Sequence, residues 1–169
     1  MRNYLKMSVL LLSFSGILMS CGGEKKEDKK KDKITLNQNK PDKKADKKKD
    51  KTPASERVAL DNKGVGPITN VDIAETIDQD MASKGKGVYD KMCTACHKPT
   101  KRFIGPAPSG ILERRSPEWV MNMILAPEKM VREDPLAKDL LIEFNGSPMA
   151  NQGLTEEEAR QVLEYFRTL

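Results

Sequence analysis

The feature of this 169-residue chain that most constrains its fold is the pentapeptide Cys93-Thr94-Ala95-Cys96-His97. Two cysteines separated by two residues can form thioether bonds to the two vinyl groups of one haem, and the histidine that follows then lies under the iron as its proximal ligand. His97 is the only histidine in the sequence, so no other imidazole can serve the iron. The motif therefore predicts one covalent haem c, attached through Cys93 and Cys96 and bound to His97.

Other uses of the same residues fit the sequence less well. A structural zinc site needs four Cys or His ligands, but only Cys93, Cys96 and His97 are close together, and Cys21 lies far away in a different context. A thioredoxin-like redox pair is expected beside a βαβ pattern, and no strands rich in Val or Ile surround the motif. A plain disulfide would leave the histidine unexplained. Zinc and thiol chemistry remain the alternatives to haem.

The first 21 residues predict export and lipid attachment. A short basic start precedes an apolar stretch, residues 7–19, which is too short to span a bilayer. The Leu-Met-Ser-Cys sequence that ends at Cys21 resembles the lipobox of bacterial lipoproteins, in which cleavage before the cysteine leaves it as the lipid-bearing N-terminus. We expect residues 1–20 to be a lipoprotein signal peptide and Cys21 to carry a lipid such as palmitate. An ordinary signal peptide with an incidental cysteine is the alternative. The expected location is a bacterial cell envelope, with the domain facing the periplasm and surface exposure left open.

A lysine-rich stretch follows the lipobox. Residues 24–51 hold thirteen lysines, seven acidic residues and no aromatic residue, so they cannot bury enough apolar surface to offset their ordering entropy. We therefore expect residues 21–57 to be a disordered, lipid-anchored tether. Residues 52–169 have a net charge of −3 once the +6 of the lysine-rich stretch and the +2 of Arg2 and Lys6 are removed from the overall +5. The basic balance of the whole chain is thus no argument for a nucleic-acid partner, and none is expected.

Short helices are predicted for the folded part, residues 81–169, after an N-terminal extension over residues 58–80. Within the extension, Val71 and Ile73 alternate with polar residues and indicate a short extended segment. Gly85 lies inside the first predicted helix, where alanine would be more stable by ~1 kcal/mol, which indicates a close crossing with another helix. The predicted helices are one capped by Asp80 and ending near Met92, one from the Ser116-Pro117 cap to about Leu125, one from Asp134-Pro135 to Asn145-Gly146, and one from the Thr155 capping box to the end.

The resemblance that these elements carry is to the class I c-type cytochromes. Gly85 and Tyr89 correspond to the family's glycine and aromatic positions on the first helix. Val162 and Tyr165 correspond to the last-helix positions that cross it. The resemblance begins near Met81, and it implies a small all-α cytochrome c fold whose first and last helices cross around a covalent haem. Because so few residues make a small core, the haem would supply its missing apolar centre.

The resemblance also implies the other residues around the haem. Pro106 resembles the proline whose carbonyl accepts the second N–H of the proximal histidine, a bond that fixes the ring and raises its basicity. Met149 lies in the loop before the last helix, where family members carry the methionine that binds the iron from the distal side. Met123 and Met130 remain alternatives, because a methionine is more often core than ligand. The expected cofactor-binding residues are Cys93, Cys96, His97, Pro106 and Trp119, with Met149 as distal ligand.

Two functions follow from the distal site. If His97 and Met149 saturate the iron, the protein is not an enzyme and shuttles single electrons. Its expected donor is a quinol-oxidising complex, and its expected acceptor is a terminal reductase or oxidase. If the distal position is weak or open, the haem would bind a gas or peroxide as a sensor or enzyme. The sequence has no second haem motif and no distal histidine, which favours electron transfer.

Overall fold

The structure is a computed structural model and describes residues 51–169. Within that range the chain forms α1 (Gln79–Met92), a 3-10 turn (Ile111–Glu113), α2 (Pro117–Leu125), α3 (Pro127–Glu133), α4 (Pro135–Glu143) and α5 (Glu156–Phe166). The same residues contain no named strand, and their one isolated bridge is a parallel pairing of Ala59 with Arg115. The predicted all-α fold is confirmed. No helix among the described residues is long and apolar enough to cross a membrane.

Three of the helices begin at the caps that the sequence predicts. Ser116 caps α2 and Asp134 caps α4, each with a side-chain oxygen that accepts an amide N–H of the first turn. Thr155 and Glu158 form the capping box of α5. These local hydrogen bonds satisfy amide groups that a helix leaves unpaired at its start, which is why such boundaries can be predicted from neighbouring residues alone.

Two features of the helices differ from the prediction. The cap of α1 is Asp78 and not Asp80, because the carboxylate of Asp78 accepts the amide N–H of Met81 at 2.9 Å and Asp80 lies inside the first turn. Helix α3 is absent from the prediction, which has no helix between Leu125 and Asp134. Proline at the first helical position loses no hydrogen bond, so the chain begins a new helix there directly after α2.

Ordered packing also begins earlier than the lysine-rich composition indicates. Ala54, assigned to the tether, is only 3% exposed, and Ser55 donates two hydrogen bonds to Glu143. Residues 54–57 therefore pack on the folded part of the chain. The predicted signal peptide, Cys21 and most of the predicted tether lie outside the described residues.

Buried polar side chains fasten the residues that precede α1, here called the N-terminal segment (residues 52–78). Asn122 on α2 accepts the amide N–H of Ile68 at 2.9 Å and donates to the carbonyls of Ile68 and Lys63. Glu164 on α5 accepts the amide N–H of Asp78 at 2.9 Å. Val71 and Ile73, the predicted extended stretch, are partly buried against the core. The segment is thus held by specific hydrogen bonds as well as by apolar packing.

Helices α1 and α5 meet backbone to backbone at Gly85. A Cβ atom built on Gly85 would lie 1.9 Å from the carbonyl oxygen of Gln161 and 2.8 Å from the amide nitrogen of Val162. The rings of Tyr89 and Tyr165 pack beside this contact with their centroids 5.3 Å apart. The close crossing expected from the costly glycine is therefore present, and no side chain fits at that position.

We expect Gly85→Ala to lower the free energy of unfolding, by about 1–3 kcal/mol or more, because the added methyl forces the two helices apart. Urea unfolding of the haem-bearing protein measures this. Gly87→Ala is the matched control on the same helix, since a Cβ there meets nothing within 4 Å. The control should gain about 0.5–1 kcal/mol from helix propensity. Equal changes in the two variants would contradict the packing argument.

Candidate cofactor site

Helices and loops enclose a mostly apolar cavity of about 210 Å³, here called the cofactor cavity. Its wall includes every cofactor residue that the sequence predicts: Cys93, Cys96, His97, Pro106, Trp119 and Met149. These residues come from the end of α1, the loop after it, α2 and the loop before α5. The fold therefore brings together side chains that lie up to 56 positions apart in the sequence.

The two motif cysteines lie in a tight turn that follows α1 directly. The carbonyl of Cys93 accepts the amide N–H groups of Cys96 at 3.1 Å and of His97 at 2.9 Å. Both thiols are free in the structure. Burial raises the pKa of the Cys93 thiol to about 11, and the neighbouring Cys96 adds to that shift. A thioredoxin-like cysteine has a lowered pKa, so this environment does not favour thiol redox chemistry.

The loop after the motif folds back under the histidine ring. His97 Nδ1 lies 2.8 Å from the carbonyl oxygen of Pro106. Because a carbonyl can only accept, Nδ1 carries the proton and Nε2 keeps a free lone pair. Gly105 lies close against the ring, and a Cβ there would lie 2.4 Å from His97 Cε1. The ring is thus held in one orientation and in the tautomer that suits a metal ligand.

The three candidate methionines have different surroundings. Met149 lies on the cavity wall in a loop that begins with Asn145 and Gly146, both in the left-handed region. Met123 also borders the cavity, from α2. Met130 is fully buried elsewhere, and its sulfur accepts the amide N–H of Val65 at 3.0 Å. Among the three, Met149 and Met123 have a sulfur-bearing side chain at the cavity wall.

Trp119 is fixed on the cavity wall by a buried carboxylate. Its indole N–H donates to Asp134 Oδ1 at 3.2 Å, and the same oxygen caps α4. Asp134 Oδ2 accepts a hydrogen bond from Asn62 at 2.7 Å. The carboxylate thus joins α2, α4 and the N-terminal segment. The hydrogen bond to Asp134 also holds the indole ring of Trp119 in one orientation beside the cavity.

Sequence reasoning missed Arg115, a fully buried residue on the same wall. Its terminal N–H groups donate to the carbonyls of Ala54 and Arg57, but its Nε has no hydrogen-bond partner within residues 51–169. Burial lowers the pKa of Arg115 to about 10, with Arg114 adding to the effect, so the guanidinium stays charged at neutral pH. No local pattern distinguishes a buried arginine from an exposed one.

A buried donor without a partner lowers the stability of the fold by about 1–3 kcal/mol. The unpaired Arg115 Nε therefore indicates that a bound group supplies an acceptor at the cavity wall. A haem fits this wall, since it combines a large apolar ring with carboxylates that a buried guanidinium can bind. The residues present therefore fit the predicted group. Cys93 and Cys96 are placed to attach it, and His97 is placed to bind its iron.

The cavity reaches the protein surface beside the haem motif. Ile104 and Met92 both line the cavity, and they are 47% and 37% exposed. Phe103 is also exposed, and Lys98 lies 5.0 Å from the centre of its ring. An exposed apolar border with a cation beside it is a surface that another protein can contact.

Comparison with known proteins identifies relatives. A family model described as Cytochrome c matches residues 82–169. Cytochrome c from Rhodothermus marinus is 38% identical in a match that covers 69% of this chain and 92% of that chain, with a TM-score of 0.60. An engineered Rhodothermus marinus cytochrome c, Rma TDE, is 37% identical over 69% of this chain and 93% of that chain, with a TM-score of 0.59. No curated protein matches the sequence.

We expect Gly105→Ala to weaken the bond between His97 and the iron, by about 10–100-fold, because the new methyl pushes the ring away from the Pro106 carbonyl. Acid titration of the oxidised, haem-bearing protein measures this through its absorption spectrum. The histidine should leave the iron at a higher pH in the variant. Gly87→Ala, in open space on α1, is the control. An unchanged acid transition in Gly105→Ala would contradict the proposed support of the ring.

Proposed function

This chain belongs to the cytochrome c family and is a haem-based electron carrier, and from that premise we propose that its haem iron is bound by both His97 and Met149 and that it is not an enzyme. Haem c supplies an iron that gains and loses one electron. The observation that carries the proposal is that His97 and Met149 border one apolar cavity from separate loops. A saturated iron leaves no position for a substrate.

His97 acts as the proximal ligand through Nε2. The hydrogen bond from Nδ1 to Pro106 leaves the lone pair of Nε2 free, raises the basicity of the ring and fixes its orientation. Gly105 allows the loop to approach the ring closely enough to make that bond. Gly105 and Pro106 would thus keep the imidazole of His97 in place in both oxidation states of the iron.

Met149 acts as the distal ligand. A thioether ligand favours ferrous iron and raises the reduction potential. The apolar cavity has the same effect, since it disfavours the additional positive charge of the ferric state. The assignment is supported against Met130 by the buried contact of that sulfur with Val65. It is supported against Met123 because Met149 lies in a loop, whereas Met123 lies on α2. A loop side chain can adjust its position toward the iron without moving a helix.

Cys93 and Cys96 hold the haem by thioether bonds, and two further side chains orient it. Trp119 would contact the haem, since Asp134 holds the indole on the cavity wall. Arg115 would pair with a haem carboxylate through the buried N–H that lacks a partner in the described chain. Covalent attachment, apolar packing and charge pairing then keep the group in one position.

The protein's likeness to bacterial cytochromes c supports a location in a bacterial cell envelope or periplasm. Within that location, we place it at a membrane through a lipid on Cys21, with the domain facing the periplasm. Its proposed donor is a quinol-oxidising complex, and its proposed acceptor is a terminal reductase or oxidase. The exposed border of the cofactor cavity, at Met92 and Ile104, lies beside the haem motif and is the expected contact with these partners.

Replacing Met149 with alanine tests the ligand. The oxidised variant should lose the weak far-red sulfur-to-iron band, its potential should fall by ~0.1 V or more within the range that axial ligands span, and its iron should bind carbon monoxide. Absorption spectroscopy and a redox titration measure these changes. Met123→Leu is the matched control at the same cavity and should keep the band.

Two results would correct the proposal in different ways. If Met149→Ala keeps the band and Met123→Leu loses it, the protein remains a carrier with another ligand. If the wild-type protein lacks the band and binds carbon monoxide readily, the iron has an open site. In that case a gas or peroxide sensor, or an enzyme, replaces the proposed carrier.

Cys21→Ser tests the membrane anchor and the partner together. Without a lipid, the lysine-rich stretch gives only weak, salt-sensitive binding to a membrane, so the variant should leave the membrane fraction in a high-salt wash. Reduction of the haem by quinol-oxidising membranes should also become slower, because attachment raises the local concentration of the carrier. Ser20→Ala, which keeps the thiol, is the control. Unchanged membrane binding and reduction rate in Cys21→Ser would mean that the anchor lies elsewhere.

A further inference from the structure

Glu143, the last residue of α4, links three segments of the chain through one half-buried carboxylate. It accepts hydrogen bonds from Ser55 N at 2.8 Å, from Ser55 Oγ at 2.6 Å and from Arg102 at 3.1 Å. Arg102 also donates to the backbone carbonyl of Glu143 at 2.7 Å. These contacts join positions that are 88 and 41 residues apart. They tie the N-terminal segment and the loop after the haem motif to the end of α4.

All three segments border the cofactor cavity. Ser55 and Phe144 line it, and Arg102 belongs to the loop that follows His97. The guanidinium of Arg102 stacks on the ring of Phe144, 4.0 Å from its centre. Directly after Phe144 the chain turns into the loop that carries Met149. The contacts of Glu143 therefore lie between the loop of the proximal histidine and the loop of the distal methionine.

A carboxylate at this position has to be stabilised by its partners. The C-terminal end of a helix carries partial negative charge, so an acidic side chain is unfavourable there. Burial acts to raise the pKa of Glu143, but the hydrogen bonds from Ser55 and the charge of Arg102 more than offset it, and the pKa lies below its usual value. Glu143 thus remains charged at neutral pH and keeps its three contacts. The formation of α4 alone does not account for an acidic residue at this position.

We propose that Glu143 is a positioning residue that holds the loop carrying Met149 at a fixed distance from the loop of His97, with the N-terminal segment as a brace. The inference rests on the proposed function, since it requires Met149 to bind the iron. When the link is broken, the distal loop moves away from the cavity more often. The sulfur then leaves the iron open for part of the time.

The test compares variants of the full-length, haem-bearing protein. Glu143→Gln keeps the size of the side chain and removes its charge. It should weaken the far-red band, lower the potential and speed carbon monoxide binding about tenfold, which corresponds to ~1.4 kcal/mol. Ser55→Ala removes one of the hydrogen bonds and should act in the same direction with a smaller effect.

Asp139→Asn is the matched control. Asp139 lies one turn earlier on the same helix, and it pairs with Arg57 of the same N-terminal segment at 2.7 Å. Its substitution also removes a carboxylate and a contact to that segment, but it leaves the contact of Arg102 with the end of α4 intact. Carbon monoxide binding in Asp139→Asn should stay within about twofold of wild type.

The outcomes separate this inference from the proposed ligand. If Glu143 acts only through its charge, Glu143→Gln raises the potential and leaves the band unchanged, and the positioning role is overturned. Equal carbon monoxide rates in wild type and Glu143→Gln, with the band intact in both, overturn it as well and leave Met149 as the ligand. A wild-type protein without the band overturns both proposals. If Glu143→Gln does not yield folded protein, an unchanged band and rate in Ser55→Ala overturn the positioning role.

Discussion

The fold depends on the contact between the backbones of α1 and α5 at Gly85. Helix α1 ends at the turn that carries Cys93 and Cys96, and α5 begins a few residues after the loop of Met149. Fixing the two helices against each other therefore fixes where the proximal and distal parts of the cofactor cavity begin. The contact needs glycine because the carbonyl of Gln161 occupies the place of a side chain. The loss of helix propensity at this residue is offset by packing of the two helices.

Buried and partly buried polar side chains hold the N-terminal segment against the helices. Asn122 on α2, Asp134 and Glu143 at the two ends of α4, and Glu164 on α5 each bind a part of the N-terminal segment. A small domain has little apolar surface to bury, and its centre is a cavity that the chain alone does not fill. Hydrogen bonds with defined partners give such a domain one arrangement where apolar contacts alone would allow several.

The two sides of the cavity are built differently. On the proximal side, the turn after α1 and the loop at Gly105 and Pro106 hold His97 by contacts with residues no more than 9 positions away. On the distal side, the loop of Met149 follows the end of α4, where Glu143 connects to distant segments, and its Asn151 donates to the carbonyl of Leu125 on α2. His97, the proposed proximal ligand, is thus placed by local structure, and Met149, the proposed distal ligand, by the tertiary fold.

The sequence alone determined the features that depend on neighbouring residues. The spacing of Cys93, Cys96 and His97, the caps at Ser116, Asp134 and Thr155, and the costly Gly85 each act within a few positions, and they predicted the cofactor, three helix starts and the helix crossing. The cap at Asp78 was missed because Asp80, two positions later, is an equally suitable capping residue. Helix α3 was missed because a proline can either end one helix or begin the next.

Only the tertiary structure decided the features that depend on distant partners. Ala54 and Ser55 look like part of a lysine-rich tether, Arg115 looks like a surface arginine, and Met130 looks like an alternative ligand to Met149. The residues that surround these side chains lie dozens of positions away in the sequence. Whether each side chain is buried depends on those distant residues. A local sequence pattern reflects interactions between residues that are close along the chain. The cavity wall, in contrast, is made by contacts that form only when the helices have packed.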